Sequence, residues 1–446
     1  MTAQSLSVYV QMSRLAWRNV VRNWRHSLAT ILAIASGFMA VSLFDGFLKE
    51  LHERNVDGFT TRGMLGQLVI QKVGANEATA DDQWRYSITK EEQDFIEGFL
   101  HNDPDFLRRV RFLYMVGMVN AGPYNTVFTS YAIDVKEGGE VRGDRWYWYT
   151  LAGEPLDQIK EPSISLGMGL GHLIDCESTY QGPSFLLEDG NYVPEKRPFV
   201  CKHPRVTLSA TTESAQINAI DLPVTGLFDA GFREADKRAI RMDLAQAQRL
   251  LDTDKISMVS VQLKNSDHRD AFIDRLRQAI AAKGYDLQVD RWEDHPMTSY
   301  VMGGLQILHV FRNLFMTIVV LIGVMSVANT MMKSVNERIR EIGTLRSLGF
   351  LRRHLVWMFS VEGACLSLIA CAIGLVTTIV VTFVIDHMGL TYRAGILAVP
   401  INLKVRYSVG AWILSATVLG LLATGTAWFC SRRASRMVVA EAMRHV

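Results

Sequence analysis

The chain has 446 residues, 49% of them apolar and 21% charged, and a mean hydropathy of +0.10. The apolar excess is concentrated in four uncharged runs, 26–44, 313–332, 363–385 and 407–430, each close to the roughly 20 residues a helix needs to cross a hydrocarbon core of about 30 Å. That argues against a wholly soluble protein, and against an outer-membrane barrel, whose strands alternate polarity and are only about 10 residues long.

The formal charge of +2 conceals an asymmetry. Arg14, Arg18, Arg22 and Arg25 precede the first run. Six basic residues and only Glu337 and Glu341 occupy 332–353, and Arg432, Arg433, Arg436 and Arg444 follow the last run against Glu441. Arginine and lysine of this kind mark the cytoplasmic side. The expected layout is therefore a cytoplasmic amphipathic helix at 1–27, a first membrane helix at 28–48 and an extracytoplasmic domain at 49–305. A second membrane helix at 306–332 and a cytoplasmic helix at 333–353 follow. The remainder is a third membrane helix at 354–385, an outside loop at 386–406, a fourth membrane helix at 407–430 and a cytoplasmic tail at 431–446. The first run also allows a cleaved signal sequence, but its basic leader is longer than a usual n-region. The leader reads as an interfacial helix or as a plain positive-inside flank.

The fold class expected for the extracytoplasmic part is α+β, in two subdomains. Residues 67–73 read as a strand, and Thr89 with Glu92 forms a capping box opening a helix to about 101. The runs 108–120 and 126–135, separated by a Gly-Pro turn, read as paired strands. Near the end, alternating Val259, Val261 and Leu263 precede a helix capped by Asp267, with Phe272, Ile273, Leu276 and Ile280 on one face. Gly284 stops it before a strand at 286–290, which completes a β-α-β unit.

Between these halves, Gly167, Gly169 and Gly171 lack the G-x-G-x-x-G spacing and read as a tight strand-to-helix turn. No G-x-x-x-x-G-K-[ST] occurs in the sequence, so no P-loop is expected on this chain, and no cofactor. Cys365, Cys371 and Cys430 fall in apolar runs, whereas Cys176 and Cys201 are the pair in the outside domain and are expected to form a disulfide. A metal reading recruiting Cys201, His203 and His172 stays open, although the spacing matches no recognised zinc pattern.

The segment NERIREIGTLRSLGF at 336–350, followed by Arg352, Arg353 and Glu362-Gly363, resembles the signature of the FtsX/MacB-type ABC permeases. The likeness extends to LAWRNVVRNWRHSLATIL at 15–32, SISLGMGLGHLI at 163–174 and VTGLFDAGFREADKRAIRMDLAQAQRLLD at 224–252. FDGFLKELHERNVDGFTTRGMLGQLVI at 44–70 is similar to the lipoprotein-releasing, LolC/LolE-like branch. The resemblance implies a permease subunit of the bacterial inner membrane, without catalysis of its own, that works by mechanotransmission with a separate ATPase dimer which binds ATP and Mg. It also implies a second permease protomer, identical or homologous, and no nucleic acid. The residues it assigns to ATPase coupling are Glu337, Arg338, Arg340, Glu341, Ile342, Gly343, Leu345, Arg346 and Gly349.

Val335, Ile339, Ile342, Leu345 and Leu348 can line one side of such a helix while Arg338, Glu341 and Arg346 project elsewhere. Amphipathic cargo entering from the lipid would meet Phe38, Met39, Phe315 and Met316, each of which also suits plain packing. Three functions compete: lipoprotein extraction, a tripartite efflux pump with a periplasmic adaptor, and a regulator of a peptidoglycan hydrolase.

Overall fold

A computed structural model describes residues 3–22, 24–77, 82–143, 150–179, 187–188, 191–192, 198–392 and 401–434. The tail beyond Ala434, the middle of the 386–406 loop and most of the interval between Cys176 and Cys201 lie outside the described residues. The chain divides into two compact units. One contains 1–52, 304–390 and 403–446, and the other contains 53–303 with 391–402.

The first unit is helical. A leader helix, Ala3–Arg22, precedes four helices long and apolar enough to cross a membrane, and the short helix Ile339–Ser347 lies between the second and third. The first spanning helix is Trp24–Asp57, the second Pro296–Glu337, the third Arg352–Met388 and the fourth Val409–Ala434. Three of them outrun the expected limits by several residues at one end or both. Polar sequence such as Lys49–Asp57 contains good helix formers and no breaker, so the backbone keeps its hydrogen bonds past the apolar run. The first spanning helix ends in a single π-helical turn, Gly58–Arg62.

Small residues set the distances between these helices. A Cβ on Gly37 would stand 2.5 Å from Val319 Cγ1, one on Gly374 2.9 Å from Phe38 Cδ1, and one on Gly363 2.5 Å from Ala427 Cβ. Close approach through small residues is how helices gain packing energy where lipid removes the hydrophobic drive. Polar contacts supplement it. Thr30 and Thr330 hydroxyls meet at 2.5 Å and Ser326 Oγ donates to Thr30 Oγ1 at 3.1 Å, while Arg312 pairs with Asp45 at 3.1 Å.

The second unit is built on one ten-stranded sheet. Strand Leu68–Lys72 pairs antiparallel with both Met258–Leu263 and Leu287–Arg291. Helix Arg269–Lys283 joins the latter two. The expected β-α-β unit is thus split by a strand from far earlier in the chain, which enters between the two parallel members. The Thr89 capping box forms as expected on helix Lys90–Asn102, and the Phe112–Ala121 part of strand Phe106–Ala121 pairs with Tyr124–Ile133 across the Gly122-Pro123 turn. Gly284 ends its helix at φ +73.

Asp267 does not cap that helix. Asn265 Oδ1 accepts the Asp267 amide at the head of a 3-10 turn, Ser266–His268, and the α-helix opens only at Arg269. An Asn two residues earlier supplies the local acceptor, so Asp267 sits inside the turn instead. Strand Ile217–Phe228 joins the two halves of the sheet. Its beginning pairs with Arg205–Thr211 and its end with Ile164–Gly167 and Thr150–Gly153.

The glycine-rich stretch is a strand-to-helix turn, Ile164–Gly167 running into Met168–Leu173. The Asp236 carboxylate accepts the Gly169 amide at 2.6 Å and the Ala230 amide at 3.0 Å. Burial lifts the Asp236 carboxyl above the usual range, and these amides oppose the rise. The anion that such a turn can hold is the protein's own carboxylate.

Cys176 and Cys201 are joined by a disulfide and stand opposite each other in a short strand pair, Cys176–Ser178 with Phe199–Cys201. No group of three metal-ligating side chains occurs among the described residues. His172 pairs instead with Glu177 at 2.7 Å, and His203 packs edge-on to Tyr124.

Candidate coupling surface

The helix after the second spanning helix is a separate element. The second spanning helix ends at Glu337, and Arg338, at φ −111 and ψ 17, breaks the helical path before Ile339–Ser347 begins. This turns the short helix relative to the second spanning helix, and Arg338 does not project to solvent. Its side chain is buried, only 6% exposed, and lies 3.5 Å from the equally buried carboxylate of Glu362 on the third spanning helix. Ser334 Oγ donates to the other Glu362 oxygen at 3.5 Å. Arg338 Nη1 and Nη2 and Glu362 Oε2 have no hydrogen-bond partner among the described residues. The pair is enclosed and incompletely bonded, a state in which each charge depends on the other.

The short helix is briefer than the expected 333–353, beginning at Ile339 and stopping at Ser347. Phe350 N–H bonds back to Leu345 O and Gly349 N–H to Arg346 O, both at 3.1 Å, with Gly349 at φ +91. This is a Schellman closure, which requires a residue without Cβ strain at the Gly349 position. The fold also brings its hydrophobic partners together. Leu345 and Phe350 both pack against a buried cluster of Met12, Ala16, Val335, Leu355, Met358 and Phe359, and Ile342 joins them. Leader helix, short helix and the start of the third spanning helix therefore share one small core. Gly343 is buried within the short helix.

Leu348 departs from the expected apolar line and is 72% exposed, because the helix has ended before it and the turn carries it outward. Glu337, Arg340, Glu341 and Gly349 are exposed and Arg346 half-exposed. The assigned residues thus separate into an inward set, Arg338, Gly343, Ile342 and Leu345, and an outward charged rim. Periodicity across 335–348 treated as one helix missed the inward turn of Arg338. Glu362 was the available signal, since a lone acid in an apolar run requires a partner.

The four residues named for cargo contact are not equivalent. Phe38 is buried in the core of the helical unit with Ile34, Ala35, Val327 and Leu366 and serves packing there. Met39 and Met316 are half-buried. Phe315 is 56% exposed, with its ring 6.1 Å from that of Phe44.

Comparison with known proteins matches residues 313–439 to the family model described as FtsX-like permease C-terminal. The chain is 24% identical over 222 residues to an uncharacterized ABC transporter permease of Methanocaldococcus jannaschii, a match covering 50% of this chain and 54% of that protein. It is 21% identical over 234 residues to the lipoprotein-releasing system transmembrane protein LolC of Xylella fastidiosa, with the same two shares. It is 29% identical over 199 residues to the macrolide export ATP-binding/permease protein MacB of Brucella abortus, covering 44% of this chain and 28% of that one. The matches to the first two relatives span about half of those proteins' length. The segment that contains most of the second spanning helix, the short helix with its buried Arg338–Glu362 pair and the last two spanning helices is an FtsX-like permease domain.

Proposed function

We propose that this chain is the permease subunit of an ABC machine in a bacterial inner membrane, non-catalytic itself, with the short helix Ile339–Ser347 docking on a separate ATPase dimer. The observation that carries this reading is the division of that helix into a seated apolar side and an exposed rim of Arg340 and Glu341, with Glu337 exposed just before it. A helix of nine residues fixed by its neighbours and presenting charges outward suits transmission of motion from a partner. The names of the relatives support the same class. ATP and Mg belong to the partner in this reading, and two permease protomers, each offering one such helix, would serve the two ATPase subunits.

The test is ATPase stimulation by the reconstituted permease. Glu341→Arg, and separately Arg340→Glu, should reduce stimulation at least tenfold while insertion and thermal stability stay unchanged, because exposed charges contribute only about 0–1 kcal/mol to folding. Normal stimulation by both variants would place the docking surface elsewhere.

The likeness to LolC and the sequence after the first spanning helix support lipoproteins or another acylated amphiphile as cargo, handled with a periplasmic carrier. The likeness to MacB supports a second reading, an efflux pump with a periplasmic adaptor. A photo-crosslinker at Met39 or Phe315 should capture acylated protein in cells under the first reading. Capture of neighbouring helices alone, with an adaptor bound to the outer domain, would favour the second.

The side assignment rests on the distribution of basic residues. Reporter fusions after Val73 and Ser334 should report outside and inside respectively, and an inside report from the Val73 fusion would sink the topology.

A further inference from the structure

A groove of about 380 Å³ opens beside the start of the third spanning helix and the end of the fourth, lined by Tyr9, Arg352, Arg353, Trp357, Trp428 and Arg432, with Val356 and Ser360 behind them. None of the described residues that line it is acidic. Arg352 and Arg353 are exposed and make no ion pair among the described residues.

Their position runs against helix electrostatics. Both stand in the first turn of a 37-residue helix that has no acid in that turn. The helix N-terminus is already positive, so cations there are disfavoured and anions favoured. Arg432 lies across the Trp428 ring at 5.2 Å, and Tyr9 packs edge-on to Trp357 at 5.5 Å. Trp357 and Trp428 are each 45% exposed. Cations at the ends of spanning helices, interleaved with half-exposed tryptophans, occupy the depth at which lipid phosphates meet acyl chains.

We propose that this groove binds the headgroup of an anionic membrane phospholipid. The phosphate sits among Arg352, Arg353 and Arg432, and the glycerol and upper acyl chain lie along Val356, Trp357 and Trp428. A soluble phosphate would use the arginines and leave the aromatic wall unused. An acidic segment of a partner protein would likewise leave the apolar part unfilled. Basic pockets between spanning helices are a known physical solution for such headgroups. The inference needs only a membrane, and does not depend on docking, cargo or which terminus faces which side.

Native mass spectrometry of the full chain in detergent tests it, with phosphatidylglycerol, phosphatidylcholine and inorganic phosphate as probes. Phosphatidylglycerol should bind about tenfold more tightly than phosphatidylcholine, and the double variant Arg352→Gln/Arg353→Gln should lose that preference. The charge-matched control Arg14→Gln/Arg18→Gln, on the leader helix but outside the residues that line the groove, should keep it. Trp357→Leu should weaken binding of both lipids several-fold with the preference intact, and unchanged thermal midpoints show that all variants are folded.

The proposal is overturned by equal binding of the two lipids, or by an unchanged preference in the Arg352/Arg353 variant. It also fails if the control loses as much, or if millimolar inorganic phosphate displaces the lipid. Loss of a protein partner by the groove variant, with lipid binding intact, would reassign the groove to that partner.

Discussion

Replacing Arg338 by alanine is expected to destabilise the helical unit by about 3–5 kcal/mol, the cost of leaving a buried carboxylate without its counter-charge. Glu362 is 5% exposed at the side chain and, among the described residues, has only Ser334 as a further polar contact, so water cannot readily substitute for the guanidinium. Glu362→Ala should cost a similar amount, for the mirror reason. The double variant Arg338→Met/Glu362→Leu fills the space with apolar atoms and should recover most of the loss, since a well-packed apolar pair often matches or exceeds a buried ion pair in stability. Thermal unfolding in detergent reads all three. Near-additive losses in the double variant would show that the two charges do not depend on each other. If the short helix transmits motion, the double variant should be stable and yet poorly coupled.

Removing the Cys176–Cys201 disulfide is the second large effect. The cysteines are 25 positions apart, and closing a loop of that size is worth about 3 kcal/mol on chain-entropy grounds. Cys176 itself is 1% exposed and belongs to the main core of the second unit. Cys176→Ser should therefore lower stability further by placing a hydroxyl in an apolar site, whereas Cys201→Ser should show chiefly the loss of the cross-link. Differential scanning calorimetry of protein matured in its own compartment should rank the variants wild type, Cys201→Ser, Cys176→Ser. Equal midpoints with and without reductant would show that the bond adds nothing to the second unit.

Much of the architecture was readable because local rules and tertiary packing agree. The four apolar runs became four long helices, the Thr89–Glu92 pattern became a capping box, and the Gly122-Pro123 turn became a two-stranded pairing. Three features were not. The insertion of Leu68–Lys72 between Met258–Leu263 and Leu287–Arg291 joins segments nearly two hundred residues apart, and strand periodicity contains no information about partners. Asp267 lost its capping role to Asn265 because two good acceptors competed within one turn. Arg338 was misplaced because a single residue outside helical geometry resets the angular phase of all that follows.

The short helix also has a consequence for when this surface exists at all. Nine residues with two β-branched isoleucines and a central glycine fall well below the length at which a helix holds together alone in water, about 12–15 residues even for favourable sequences. A peptide copied from Ile339–Ser347 should therefore be a random coil. Its order is borrowed from Met12 and Ala16 at one end of the chain's sequence and from Leu355, Met358 and Phe359 just beyond it. A nascent or misassembled chain in which the leader helix has not yet returned to that site would display no recognisable charged rim. Helix order at Ile339–Ser347 thus reports completed folding of the membrane unit, and any factor that binds that rim would discriminate mature from immature protein without a separate checkpoint.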